Sequence, residues 1–566
     1  MASIPPGTLI LLGALVVPFL TRRLRQYWCV VIPILSFLHL TWAFGDGTTQ
    51  ALQFFGQDLT PIRVDRLSLV WGYVFHIAAI LAAIYALRTR DRVEHMVAML
   101  YVGASIGAIF AGDLMTLFVY WELTAVSSVF LIWAGKSKHA FGVGIRYVLM
   151  HVASGVLVLS GALLVFTEHG SLSFGAPSAT GMFHELADAG SWCLLLGFGI
   201  KAAFPLLHCW LPDAYPESTA TGTVYLSAFT TKMAIYALAR GFAHCELLIM
   251  VGAVMAIFPL IQAVLASDMR QTLSHVLNNQ LGFMVVAIGV GSELAINGVA
   301  AQAFAHVLYK GLLFMAMGAV LVQAGSACQT KLGGLARRMP WTCAFCLVGA
   351  LSVVPLNCGF VTKALVLDAV AEEHLDWIWL ALMVGAVGAF VAAGIKVPYF
   401  TFFAAAQQDQ SRVEQAPLNM KIAMGTAAAM CLAIGVFPSV LYGILPFEGD
   451  YHPYTTSHVV HQLQLISFST LGFILAVRFG VYPKPVTGTL LDFDWFYRRP
   501  TQLIRRRLSQ RIEKPVSSPV PNWYARFDEW MSHQCSESGI FGRSVSTNAM
   551  AVSAIILLAV YLLIYY

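Results

Sequence analysis

Long apolar stretches alternate with short clusters of charge, glycine and proline along almost the whole chain. A run of about 18 or more apolar residues is long enough to cross the bilayer core as a helix. Read against their polar punctuation, the runs predict about sixteen membrane spans: 7–20, 28–44, 66–86, 94–111, 113–134, 141–166, 189–210, 219–241, 245–265, 270–292, 297–324, 341–368, 377–400, 421–444, 459–481 and 546–566. The segment 482–545 breaks the pattern. It carries Arg498, Arg499, Arg505, Arg506, Arg507, Arg511 and Lys514 among Pro500, Pro515, Pro519 and Pro521. It reads as a basic, partly amphipathic connector on a membrane surface.

Composition agrees. Of 566 residues, 58% are hydrophobic and 11% charged, whereas soluble domains carry about 25% charge. The chain is therefore an all-α polytopic membrane protein rather than a large soluble enzyme. Its net charge of +5 does not point to nucleic acid, because the basic residues sit in loops between apolar runs. Loops after odd-numbered spans hold Arg22, Arg23, Arg25, Arg88, Arg90, Arg92, Lys136, Lys138, Arg270, Lys331, Arg337, Arg338 and Arg412, and those after even-numbered spans little more than Arg63, Arg66 and Arg240. Basic loops stay in the cytoplasm, which places both termini outside. The arginines after the first run mark it as a retained helix rather than a cleaved signal.

The ten cysteines are scattered. Cys343 and Cys346 form a Cys-x-x-Cys with no second pair, so no metal site is expected. No Gly-rich phosphate loop or haem motif is present, so neither a cofactor nor catalysis within the chain is expected.

The informative residues are ionisable groups in mid-span, where each costs several kcal/mol unless paired or hydrated. Glu122 lies nine residues after Asp113, about 13 Å along a helix. Lys201, Lys232, Lys310 and Lys363 are interior to their spans, as are His151, His208, His275 and His306. Taken singly, each has a plainer reading. A lone histidine commonly bonds two helices together, Lys396 near a span end can snorkel to headgroups, and Glu122 with Lys201 can be a buried structural ion pair. Together they form a polar chain along the membrane plane. His306 and Lys310, at i and i+4, share one helix face; two such groups cannot both be charged cheaply, which suits partners that trade a proton.

Lys201 and Lys232 are 31 residues apart, and Lys363 and Lys396 are 33 apart. The spans bearing them are offset by five, an odd number that reverses direction across the membrane. This predicts two inverted repeats, 93–241 (helices 4–8) and 245–400 (helices 9–13). They follow N-terminal helices in 1–92 and precede helices 14 and 15 in 421–481, the connector, and a last helix at 546–566. Helix breakers Pro205 and Pro212 follow Lys201, and Pro355, Asn357 and Gly359 precede Lys363. Broken helices are tolerated in a bilayer only where the freed backbone meets protein or water.

At these residues the chain resembles the antiporter-like subunits shared by Mrp-type cation/proton antiporters, respiratory complex I and membrane-bound hydrogenases. The matching stretches are Asp113-Leu-Met-Thr-Leu-Phe-Val-Tyr-Trp-Glu122, Lys201-Ala-Ala-Phe-Pro205-Leu-Leu-His208-Cys-Trp210-Leu-Pro212-Asp213 and Thr-Thr-Lys232-Met-Ala-Ile-Tyr. Further on come Ser267-Asp268-Met-Arg270-Gln-Thr-Leu, His306-Val-Leu-Tyr-Lys310-Gly-Leu-Leu-Phe and Pro355-Leu-Asn-Cys-Gly359-Phe360-Val-Thr-Lys363. They fall in order between about residues 60 and 445. The Lys-Ala-Ala form, the Asp-Ala-Tyr-Pro-Glu after it and Asp494-Trp495-Phe496-Tyr497 look closest to the D-type branch of the Mrp antiporter subunits. The resemblance implies about fourteen core helices with broken helices 7 and 12, plus about two extra C-terminal helices. It implies Glu122 and Lys201 as an ion-paired switch, Lys232, His306 and Lys310 as a central relay, and Lys363 as the terminal proton site. Asp113, His151, His208, His275 and Lys396 would support that line. The chain departs from the family in having Leu356 where a second proline is common, and His275 where tyrosine is common.

The expected function is proton translocation in a multisubunit Na+/proton antiporter of a bacterial-type inner membrane, with other membrane subunits as partners. The alternatives are a proton-pumping subunit of a complex I-type oxidoreductase or membrane-bound hydrogenase, a subunit for inorganic-carbon uptake, an independent transporter, or a non-transporting scaffold.

Overall fold

The computed structural model describes residues 4–54, 57–175, 181–408, 410–483 and 495. Apart from Tyr482, Pro483 and Trp495, the expected connector at 482–545 and the span at 546–566 lie outside these residues. Every predicted span from 7–20 to 459–481 is helical. Eleven of the described helices are long and apolar enough to cross a membrane individually. The layering follows from composition: Met269–Val290 and Glu293–Ala324 are buried along nearly their whole length, as expected of helices apolar on all sides. Thr456–Arg478 buries only Ser469 and Phe473 and lies at the periphery.

Helix starts are set by side chains that accept from the free amides of the first turn. Asp65 and Ser68 form a capping box on Arg66–Tyr85. Asp113 accepts from Thr116 N at 2.7 Å to start Leu114–Trp133, and Asp268 accepts from Arg270 N and Gln271 N to start Met269–Val290. The backbones of these two aspartates also form isolated antiparallel bridges to later segments, Asp113 to Ser173 and Asp268 to Cys328. A hairpin that hydropathy did not announce, Thr49–Phe54 against Gln57–Arg63, is tied to the bundle by Thr60 N donating to Asp113 Oδ2 at 2.9 Å.

Both expected breaks are present. Ala189–Lys201 stops at the lysine and helix resumes at Trp210–Glu217. Pro340–Ala350 stops and resumes at Cys358–Glu372. Each gap is built on a Pro-Leu turn: Leu207 N donates to Phe204 O (2.9 Å) and Asn357 N to Val354 O (3.1 Å). Leu206 and Leu356 have φ of 71° and 74°, the position of a type II turn that glycine normally fills. Leu356 thus takes the turn without a second proline. Pro212, expected within the first gap, instead lies in the first turn of Trp210–Glu217, where its missing N–H has no intrahelical acceptor to lose. Gly359 lies just after the second gap; a Cβ there would stand 2.7 Å from the Ser352 carbonyl, so the close approach explains the residue.

Two spans depart from regular α-helix, one by a division and one by a change of winding within a continuous helix. Span 219–241 divides at Phe229 (φ −106°, ψ −61°) into Ala220–Ala228 and Thr230–Gly241. Span 377–400 runs as α-helix over Asp376–Ala389 and then widens into π-turns at Phe390–Lys396 and Tyr399–Phe403. Such widening is rare and concentrates at functional positions. Each irregularity falls at a lysine, Lys232 or Lys396.

Candidate functional site

Lys201 ends its half-helix fully buried. Its Nζ donates to the Trp121 carbonyl at 2.5 Å and to Thr124 Oγ1 at 2.9 Å, and lies 4.4 Å from the Trp121 ring centre. Glu122, the residue after Trp121, feels the charge of Lys201 but makes no direct ion pair with it. Its Oε1 is buried without a hydrogen bond. The ion pair that the resemblance implies is therefore not formed here; the lysine bonds backbone and hydroxyl oxygens instead. Room for the carboxylate comes from Gly155, where a Cβ would overlap it. His151, one turn before, lies in the field of Lys201; its ring packs on Tyr147 and Trp210 at 4.1 and 4.6 Å, and Nε2 has no hydrogen bond.

Lys232 is also fully buried, and its Nζ donates to the Ser227 carbonyl at 2.6 Å, a group freed by the kink at Phe229. Between His151 and this kink stand neutral hydroxyls that sequence reading missed. Tyr147 OH and Ser128 Oγ are 2.9 Å apart, Tyr147 stands beside Thr230, and Thr230 Oγ1 is 2.5 Å from Tyr101 OH. Hydroxyls both donate and accept, so this row can bridge two charged centres.

His306 and Lys310 sit at the centre of Glu293–Ala324. Lys232, Lys310 and Lys363 all act electrostatically on His306, and neither ring nitrogen of His306 nor Lys310 Nζ has a hydrogen bond. Three helices thus converge their basic groups on one imidazole. Around it runs a second neutral network. Gln280 Oε1 accepts from Tyr309 OH and Gln302 Nε2, both at 3.2 Å, and Thr362 Oγ1 donates to Gln302 Oε1 at 2.7 Å. Thr362 is the neighbour of Lys363. A sequence signal existed for it: Asn278-Asn279-Gln280 is a polar triplet in the middle of a membrane span.

Lys363 Nζ lies 4.9 Å from the Phe283 ring centre. It lines a cavity of about 20 Å³ shared with Lys310, Gln280 and Tyr309. It also lines another of about 80 Å³ shared with Asp368, His458 and His461. Lys396 does not snorkel. It is fully buried, and its Nζ donates to the carbonyls of Ala263 (2.9 Å), Val264 (2.9 Å) and Ala266 (2.6 Å), closing the end of Glu246–Leu265.

Of the remaining candidates, Asp113 is a structural cap whose carboxylate accepts from Thr116 N, Thr116 Oγ1 and Thr60 N. His208 is buried in the first helix gap with its ring 5.7 Å from Phe258, and His275 is buried in Met269–Val290. Glu122, Lys201 and His151 form one group, and Lys232, His306, Lys310 and Lys363 form another, with the Tyr147–Thr230–Tyr101 hydroxyls between. The two clusters are thus titratable groups linked by side chains that can both donate and accept hydrogen bonds.

Residues 111–388 match the family model described as NADH:quinone oxidoreductase/Mrp antiporter, transmembrane. Hydrogenase-4 component B of Escherichia coli K12 is 25% identical over 476 residues, 77% of this chain and 69% of that protein. The D-type subunit of the Na+/H+ antiporter of Alkalihalophilus pseudofirmus is 28% identical over 358 residues, 60% of this chain and 72% of that one. Among solved structures, a chain of the Mrp complex from a Dietzia species superposes with a TM-score of 0.76 at 22% identity, over 94% of this chain and 62% of the other.

Proposed function

We propose that this chain, whose membrane domain belongs to the NADH:quinone oxidoreductase/Mrp antiporter family, is the proton-translocating subunit of a multisubunit Na+/proton antiporter. The observation that carries the reading is the burial of Lys232, His306, Lys310 and Lys363 in the interior of a membrane bundle, with Lys310 and Lys363 lining one cavity. Isolated charges there are too costly to keep without a use.

In this reading Glu122 and Lys201 act as a switch. With the pair closed, Glu122 screens the lysine. With it open, the charge of Lys201 is felt further along the row and makes a second proton at Lys232 harder to hold. At an effective dielectric of about 20, two unit charges about 7 Å apart interact by roughly 2 kcal/mol, which is more than a tenfold change in occupancy. The proton then moves to His306 and Lys310 and on to Lys363. The basic-loop asymmetry supports termini on the outer side of a bacterial-type inner membrane. The Na+/H+ antiporter relative supports Na+ as the exchanged ion and other membrane subunits as partners.

The test is Na+-driven dye dequenching in proteoliposomes holding the intact complex. Lys232→Ala and Lys363→Ala should each abolish it while the complex still assembles; parental rates in both variants overturn the proposal. A second reading, a proton-pumping subunit of a redox complex of the hydrogenase or complex I type, is favoured by the hydrogenase-4 relative. Iron–sulfur or flavin proteins co-purifying in mild detergent would establish it, and a soluble zinc protein would instead indicate inorganic-carbon uptake.

A further inference from the structure

The relay as read from the sequence ends at Lys363, inside the protein. The structure continues it. The 80 Å³ cavity beside Lys363 is lined by Asp368 on the same helix and by His458, His461 and Gln462 on Thr456–Arg478. That volume exceeds the roughly 30 Å³ share of one water molecule. The helix Thr456–Arg478 otherwise buries almost nothing, yet it turns three polar residues, spaced i, i+3 and i+4, toward this cavity.

Beyond Asp368 stands Tyr451. Tyr451 OH donates to Asp368 Oδ2 at 2.5 Å, and His458 Nε2 lies 3.4 Å from the same oxygen. Tyr451 also lines an outer cleft of about 640 Å³ with Glu448, Asp450 and His452. Tyr451 thus touches both sides, lining the cleft and bonding the aspartate that lines the cavity. Burial and the adjacent carboxylate both push the Tyr451 phenol up, so it remains a donor. The loop 443–455 carrying it lies on the face whose loops hold few lysines and arginines.

We propose that Asp368, latched by Tyr451 and flanked by His458, is the gate through which a proton leaving Lys363 reaches the outer face. The proton passes from Lys363 Nζ through water in the cavity to the Asp368 carboxylate. It is released to the cleft when Tyr451 lets go, leaving the carboxylate ionised for the next cycle. This rests on the proton-translocating reading, so the test has one arm independent of transport.

In the assembled complex, Leu367→Cys places a thiol on the inner cavity wall. A membrane-impermeant methanethiosulfonate added from the outer side should label it slowly, and at least tenfold faster when Tyr451→Phe is combined with it; the parent chain with its own cysteines is the blank. Equal labelling with and without Tyr451→Phe overturns the gate, whatever the complex transports. In the second arm, Asp368→Asn should cut proton flux at least tenfold and Asp368→Glu should restore most of it. Parental flux in Asp368→Asn overturns the proposal, as does loss of flux that Asp368→Glu fails to recover, since that marks a merely structural latch.

Discussion

The Lys201 ammonium bonds to the carbonyl of Trp121, the residue beside Glu122, instead of to the Glu122 carboxylate. In the proposed switch, the change from this arrangement to the closed pair is a swing of the Lys201 side chain toward the residue next to its present acceptor. Thr124 supplies the second acceptor of the open arrangement at 2.9 Å.

Thr124→Val removes that acceptor and should shift the balance toward the closed pair. Losing one bond to a charged group is worth about 1.5–3 kcal/mol, so flux should fall about tenfold or more, with assembly intact by size exclusion. Glu122→Ala and Lys201→Ala should abolish it. Parental flux in Thr124→Val removes the swing from the mechanism.

Gly155 leaves the space that Glu122 occupies. Gly155→Ala should drive the carboxylate out of its place and stop coupled transport while the helix, which gains a good helix former, still folds. Measuring dye quenching beside thermal stability separates the two effects; transport at the parental rate shows that the carboxylate position is irrelevant.

The Gln280–Gln302–Thr362 network leads from the surroundings of His306 to the neighbour of Lys363. Gln302→Leu removes its bonds to Gln280, Tyr309 and Thr362, each worth about 0.5–1.5 kcal/mol net, while Gln280 keeps Tyr309 and Thr362 keeps the Cys358 carbonyl. A drop of several degrees in melting temperature is expected together with a flux loss larger than that of Thr362→Val, which breaks one bond of the network. Equal fluxes in the two variants argue against the network as a conduit.

Outside the bilayer, Asp65 accepts from the buried Arg240 at 2.8 Å. Burial works to raise this carboxyl, but Arg240, the Ser68 amide and Arg63 outweigh it and hold it below its ordinary value. A group lowered in the folded state stabilises the fold above its unfolded value of about 3.9 and loses that contribution as pH falls through the folded value. Detergent-solubilised protein should therefore melt earlier as pH drops below about 4. Asp65→Asn should flatten that slope and be less stable at neutral pH, because Arg240 is left buried and uncompensated. An unchanged slope in the variant removes Asp65 from the acid sensitivity.

Hydropathy located the spans because each bilayer crossing must be apolar over a fixed length, and charges inside a span are conspicuous for the same reason. Glu122 and the buried lysines were legible on that basis, and Pro205 and Pro355 announced the two gaps. The neutral connectors were not. Tyr101, Ser128, Tyr147 and Thr230 sit in spans where hydroxyl residues are ordinary, and only their placement on four different segments makes them a row. The kink at Phe229 has no proline or glycine beside it to announce it, whereas Gly394 and Pro398 stood in the stretch that widens around Lys396 and went unread. The reading of Lys396 as a snorkelling residue failed because sequence position gives distance from a span end, while burial depends on which helix lies alongside.

Lys396 meets three carbonyl oxygens with the three N–H groups of an ammonium. An uncharged amine offers two, so one oxygen at the end of Glu246–Leu265 would then go unanswered. Backbone order at this helix end is thereby tied to the arrival and departure of a single hydrogen ion.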